Sequence, residues 1–421
     1  MKRLSKYSFG LGDRFGKQGK AQLKALINAE KELGLSFDAV WNKSFREHKI
    51  TGTDPESVRR EADEAVTSLK WKGNHFVDAD HINMETVDAF IESSDFFTID
   101  VASYIGKPAF EEDEKRFLDL TVSFTGELKI PGIGESFEVD EQLLKRIVGK
   151  FLFASRMAGK IYRKIEATKG KGNFITEVSM DEVETPQTPV ELFFILMMLS
   201  EEGVPVQTIA PKFSGRFNKG IDYVGDLVLF RDEFEKDLLV LKNAVMTFGL
   251  PGELKLSIHS GSDKFSIYPV MGELVEKHKT GIHIKTAGTT WLEELIGLAK
   301  AGGEALEFVK EVYFEALDRL GELTAPYADV IDIDHQKLPE KDEVLKWDSE
   351  KMVNTLQHEP ENPEYNKNLR QLMHVGYKMA AERSDVFGKL QDKYEDVISE
   401  CVTKNIYERH IKRLFPGKRI G

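Results

Sequence analysis

Three histidines of this chain, His81, His259 and His283, fall at the carboxyl ends of stretches that read as β-strands. The chain has only ten histidines, so three in equivalent positions point to chemistry. Three neutral imidazoles with one or two carboxylates suit a divalent cation such as Zn, Mn, Ni or Co. Asp80, beside His81 at the end of the same stretch, and Glu177, at the end of another, suit an acid/base pair, one removing a proton and the other returning it. Both would serve equally as metal ligands, and Asp100 is a second-tier candidate for either role. Lys212 and Lys285 are inward lysines. Either could form a Schiff base if desolvated, although beside a cation and an anionic substrate an electrostatic clamp fits better. Two loops complete the set: Ser260, Ser262 and Lys264 in one, and Thr286 to Thr290 at a helix start in the other. Both can turn hydroxyls and backbone N–H groups toward an anion, although ordinary turn formation and helix capping explain them as well. His335 is a weaker metal candidate, while His48, His75 and His278 read as structural.

The elements that must position these groups alternate. Strand-like runs at 7–11, 37–41, 75–79, 96–102, 174–178, 204–210, 254–259 and 281–284 are separated by helical or polar stretches. The run at 254–259 shows the period clearly: Leu254, Leu256 and Ile258 on one face, Lys255, Ser257 and His259 on the other. Asp54-Pro55 caps one helix start and Thr188-Pro189 opens another, and a third helix is expected over 83–93. Eight βα units in order predict a (β/α)8 TIM-type barrel over 1–321. The rival doubly wound sheet lacks support, because Gly10-Leu11-Gly12 has no third glycine. Residues 106–139 break the rhythm and read as a β-rich insertion after strand four, before a long helix over 140–168. Residues 322–421 read as a mainly helical extension packed on the barrel. In a barrel all the polar strand ends surround one mouth, and an inward charge costs desolvation unless paired or bound.

Composition narrows the class. The 421 residues are 41% hydrophobic and 31% charged, ordinary for a globular protein. A net charge of −13 argues against nucleic acid or an anionic membrane as partner, but not against an anionic small molecule in a locally basic pocket. The single Cys401 excludes an intramolecular disulfide and suits a reducing cytoplasm. The longest apolar run, 192–199, is core-helix size rather than membrane-spanning, and the first residues lack a secretory pattern. A homo-oligomer is compatible with all of this.

The segments FVDADHI (76–82), TEVSMDE (176–182), SIHSGSDKFSIYP (257–269) and GIHIKTAGTTWLEE (281–294) together resemble the tagaturonate/fructuronate epimerase family. The resemblance runs over most of the chain. It implies a divalent metal, no organic cofactor, and interconversion of D-tagaturonate and D-fructuronate in hexuronate breakdown. Carried over, it would put the metal on His81, His259 and His283, with Asp80 and Glu177 as proton acceptor and donor.

That chemistry suits the residues. The inverted carbon lies β to the ketone, so its own hydrogen is not acidic and simple enolisation does not invert it. Retro-aldol cleavage, rotation of the aldehyde fragment and re-addition would, given a polarised carbonyl, a base and an acid. Two rivals remain: a class I aldolase or lyase using Lys212 or Lys285, and a sugar-acid binding protein without catalysis.

Overall fold

The computed structural model describes residues 2–417 other than 261 and 287; those two belong to the anion-type loops anticipated above and lie outside the described residues. Eight parallel strands close into a barrel: β1 (Tyr7–Gly12), β2 (Asp38–Ser44), β3 (His75–Ile82), β4 (Phe96–Asp100), then β7 (Ile175–Ser179), β8 (Thr208–Ala210), β9 (Lys255–His259) and β10 (Ile282–Lys285). Strands β5 (Gly126–Leu128) and β6 (Phe137–Val139) form a separate antiparallel hairpin between β4 and β7. The eight-strand expectation holds, with ends shifted by a few residues. The sixth strand shrinks most, to Thr208–Ala210, because a local bond from Val206 N–H to Val204 O occupies the chain before it.

Helices α1 (Gly19–Leu33), α2 (Phe45–Thr51), α3 (Pro55–Leu69), α4 (Glu111–Thr121), α5 (Glu141–Lys169), α6 (Pro189–Glu201), α7 (Leu227–Phe248), α8 (Tyr268–Lys277), α9 (Thr289–Ala301) and α10 (Gly303–Asp318) surround the barrel and its insertion. Asp54 caps α3 and Thr188 caps α6, each followed by proline in the first turn. Val190 and Leu192–Leu199 in α6 are all buried, which is why its apolar residues run without a polar face.

Two expectations are corrected. The insertion is not only β-rich, since α4 precedes the hairpin. Four acidic residues in its first turn favour the positive helix end, and Phe117 and Thr121 bury one face. The helix expected over 83–93 is one 3-10 turn at Val87–Ala89. Asn83 Oδ1 accepts the N–H groups of Glu85 and Thr86, a local alternative that competes with helix propagation.

Beyond residue 318 the described chain is turns and helices, including Ser349–Leu356, Lys367–Val375 and Glu395–Lys404. The last packs on α9 and α1, and Lys367–Val375 lies on α10. One apolar core runs continuously from Phe9 and Leu256 in the barrel to Phe387 and Ile398 in these helices. Inside the barrel a small cluster of Leu4, Val40, Phe76, Phe96 and Ile175 fills the amino-terminal end. No helix among the described residues is long and apolar enough to cross a membrane.

Candidate active site

A bulge builds the first part of the site. The pairing of β3 with β4 slips between Ala79 and Ile82, and His81 adopts φ +52°. On a regular strand Asp80 and His81 would face opposite sides of the sheet. The slip and the left-handed residue instead bring both to the mouth, with His81 Nδ1 3.0 Å from Asp80 Oδ1. Such a backbone costs about 1–3 kcal/mol and persists only where its surroundings enforce it.

Lys285 is the hub. It is 3% exposed, and its Nζ lies 2.6 Å from Asp78 Oδ2, 2.9 Å from Asp80 Oδ1 and 3.1 Å from Glu177 Oε1. Gly10 makes room for it, since a Cβ there would stand 3.0 Å from Lys285 Cα and Cγ. Glu177 also accepts from Thr208 at 2.6 Å and Thr98 at 3.2 Å, and Thr98 is within 3.0 Å of both Asp78 oxygens. Burial alone would raise the Asp80 and Glu177 carboxyls. Lys285 overrides it, helped by His81 for one and His259 for the other, and both stay well below the usual carboxylate range. Asp78 goes the other way: burial, with Asp80 and Glu177 beside it, lifts it to about 7 against the pull of Lys285. Burial opposes charge on Lys285 too, but the three carboxylates hold it well above its ordinary range. It is an ammonium ion.

Above this layer stand two imidazoles and a carboxylate. His259 Nε2 faces Glu177 Oε1 at 2.8 Å while its Nδ1 lies 3.2 Å from Asp181 Oδ2. His81 Nε2 lies 3.6 Å from Asp181 Oδ1, and the two rings are 4.8 Å apart. One donor atom each from His81, Asp181 and His259 falls within 4.8 Å of the others. Asp80 and Glu177 occupy the outer nitrogens of the two histidines. That is the carboxylate–histidine arrangement that orients metal-binding imidazoles and makes them better donors. Two imidazoles and a carboxylate with positions left open suit Zn, Mn, Ni or Co. The residues fit a divalent cation.

The other anticipated residues are placed differently. His283 pairs with Ser257, one inward position below the level where Lys285 pairs with His259. Its Nδ1 meets Ser8 Oγ at 2.9 Å, burial takes it down to about 3, and it is outside the trio. Ser260 donates to Lys285 O, Ser262 Oγ accepts from Gly220 N–H, and Lys264 donates to the carbonyls of Asn218 and Ile221. Thr286 donates to Gly10 O. These four side chains hold backbone together rather than facing the mouth. The ammonium of half-buried Lys212 has no partner among the described residues. Asp100 caps the turn at Ala102, close enough to His81 and Asp181 to feel their charges. His335 is exposed on the extension.

Asp181 is the residue to which sequence reasoning gives no role, and Asp78 counts among the polar strand ends without a role of its own. Asp181 follows Glu177 by four residues, beyond the strand, where no period marks direction. Asp78 shares the inward face of β3, but its depth follows from the barrel register alone.

A carboxylate–ammonium network under an imidazole–carboxylate trio, at the carboxyl mouth of a (β/α)8 barrel, defines the class: a barrel enzyme with its polar groups gathered where such barrels place their active sites. A family model described as tagaturonate epimerase matches residues 1–414, and the chain belongs to that family. The tagaturonate/fructuronate epimerase of Thermotoga maritima is 30% identical over 424 residues, covering 97% of this chain and 80% of the relative. Crystal structures of the fructuronate-tagaturonate epimerase UxaE of Cohnella laeviribosi share the fold at 24% identity. The glycerol-bound and native forms give TM-scores of 0.80 and 0.79, each covering 98% of this chain and 82% of the other.

Proposed function

We propose that the protein is a divalent-metal-dependent isomerase that interconverts D-tagaturonate and D-fructuronate. The observation that carries this reading is the contact of Lys285 with both Asp80 and Glu177, directly beneath the donors His81, Asp181 and His259. The proposed ligand set takes Asp181 in place of His283. When bound there, a divalent ion would polarise the substrate's ketone and stabilise the charge that develops on it. A uronate is a small anionic substrate, and the reducing cytoplasm that the lone Cys401 suits is the proposed compartment.

Asp80, held ionised, takes the proton from the hydroxyl of the inverted carbon. The bond from that carbon to its neighbour next to the ketone then breaks, leaving an aldehyde on the carboxylate fragment and an enediolate on the other. The aldehyde turns about its single bond, and the carbon–carbon bond re-forms on its opposite face. The new alkoxide is protonated on the Glu177 side of the site by Lys285, the protonated member of the network, which recovers the proton that Asp80 took, so no proton is gained or lost overall. The alternative, a Schiff base on Lys285, is opposed by its three carboxylate neighbours, which keep the amine protonated.

The test is conversion of D-tagaturonate by protein as purified, after chelation and after metal is restored, with a borohydride arm. Activity and bound metal should fall and return together, with no covalent inactivation. Turnover by metal-free protein, or trapping by borohydride, would overturn the reading in favour of a lysine route. Solvent deuterium appearing at the inverted carbon would exclude the cleavage step.

A further inference from the structure

We infer that the substrate's carboxylate is held at the start of α9, in a cradle of Arg14, Lys219 and His374 that barrel loops and C-terminal helices build together. This deepens the uronate reading above and rests on it for the identity of the anion.

The N-cap of α9 is Gly288, at φ +85°, and no side chain caps the helix. Its first N–H groups and its dipole favour an anion there. A bare helix start is common, however, and the independent observation is His374. That residue is 1% exposed, and neither ring nitrogen has a hydrogen-bond partner. A buried imidazole with both nitrogens unused is costly unless something else pairs with it. Its Nε2 points at the helix start: a Cβ on Gly288 would collide with it and would stand 3.0 Å from Arg14 Nη2.

Arg14 is presented in the same direction. Its Nε is 2.9 Å from Glu47 Oε1, its Nη1 donates to His374 O at 2.8 Å, and the Tyr377 ring centroid lies 3.9 Å from the guanidinium carbon. Nη2 is left without a partner among the described residues. Lys219 is half-buried, and its ammonium likewise has none. Burial first, then Arg14, Lys219, Arg370 and Lys264, keep the His374 imidazole neutral, which places all four cations close around it. Glu47 answers Arg14 and Asp263 answers Arg370. Burial brings Lys264 down to about 7 beside Asp222 and Asp263, and Lys219 is left with no carboxylate partner among the described residues, a charge that an anionic ligand would balance.

The place is right for a uronate. Gly288 follows Lys285 by three residues, at most about 11 Å of chain. The carboxylate of the substrate is two bonds from the inverted carbon. A clamp on it retains the aldehyde fragment after cleavage and leaves the intervening single bond free to turn. The C-terminal helices thereby acquire a task at the site, because His374 comes from them.

The experiment uses the metal-loaded enzyme and a fragment, D-glycerate, which carries the carboxylate and the adjoining hydroxyl. Glycerol is the uncharged control. Calorimetry should show glycerate binding at least ~10-fold tighter than glycerol, since charge-assisted bonds are the strong ones. Lys219→Met and His374→Gln should each weaken glycerate about 10-fold or more, with metal content and thermal midpoint unchanged. Lys219→Met should also raise KM for D-tagaturonate by a similar factor and leave kcat within about 3-fold. Gly288→Ala, whose methyl fills the cradle, should abolish glycerate binding. Glycerate binding no tighter than glycerol, or indifferent to Lys219→Met and His374→Gln, would overturn the cradle. Because glycerate binding needs no turnover, an enzyme that binds it as predicted but leaves D-tagaturonate unchanged would refute the epimerase reading and not this one.

Discussion

Lys285 Nζ lies 2.6 Å from Asp78 Oδ2, at a depth where the barrel excludes water from both side chains. A buried ammonium and a buried carboxylate each cost several kcal/mol to desolvate, and the pair is tolerable only because each partner satisfies the other. Removing one leaves the other stranded. Lys285→Met is therefore expected to destabilise the fold by about 3–5 kcal/mol, read from denaturant unfolding. It should also lower kcat by about 10²-fold or more, because Asp80 and Glu177 lose their shared proton partner. Lys285→Arg should recover much of the stability and little of the rate. Near wild-type turnover in Lys285→Met would contradict the relay.

Thr208 donates to Glu177 Oε2 at 2.6 Å and contributes nothing else to the site. Thr208→Val keeps the shape and removes that bond. Glu177 should then be a poorer partner for His259 and Lys285, with kcat/KM down about 10-fold and the fold weakened by about 1–3 kcal/mol. Steady-state kinetics with D-tagaturonate reads the first quantity and urea unfolding the second.

Glu293 on α9 gives the pH dependence a clean test away from the site. Burial first, then Asp263, raises its carboxyl from 4.5 to about 7. A raised acid favours the folded state while it is protonated, so this contribution is whole below about pH 4.5 and is lost as pH rises toward 7. Glu293→Gln keeps an acceptor for Asn405, which donates to Glu293 Oε1 at 2.9 Å, and removes the titration. The variant should gain on the wild type in thermal midpoint across pH 4.5–7 and hold a constant advantage above. A difference independent of pH would show that Glu293 does not titrate in that window.

The loop after β9 acts as a latch. Asp263 is fully buried, 2.7 Å from Arg370 Nη2, while Arg370 Nε donates to Gly220 O at 2.6 Å. Arg370→Met should destabilise the protein by about 3–5 kcal/mol, and adding Asp263→Asn should recover part of that, because the uncompensated charge is then gone. Denaturation curves of the single and double variants decide it.

These contacts show where sequence stops being legible. The barrel could be read because each strand is a local pattern, period two or short and apolar, that ends in polar residues. Asp80, Glu177 and Lys285 were visible for the same reason: each closes a strand. Depth was not visible. His283 and Lys285 both face inward, and only the register that sets Lys285 against His259 and His283 against Ser257 separates them. Asp181 reaches the site from a loop, and the bulge at His81 depends on pairing that no single strand encodes. Ser262 and Lys264, on either side of Asp263, looked like an anion loop because residues of their type can form one. Their partners, Gly220, Arg370 and Asn218, lie 42, 107 and 46 residues away, so a tertiary latch and a ligand loop look alike in sequence.

The central claim is that His81, Asp181 and His259 hold a catalytic divalent ion and His283 does not. The direct measurement is metal content per chain after exhaustive dialysis, for the wild type, Asp181→Ala, His259→Ala and His283→Gln. Near one ion per chain in the wild type and in His283→Gln, with loss in the other two, is the expected result. A full complement of metal in Asp181→Ala together with loss in His283→Gln would contradict it.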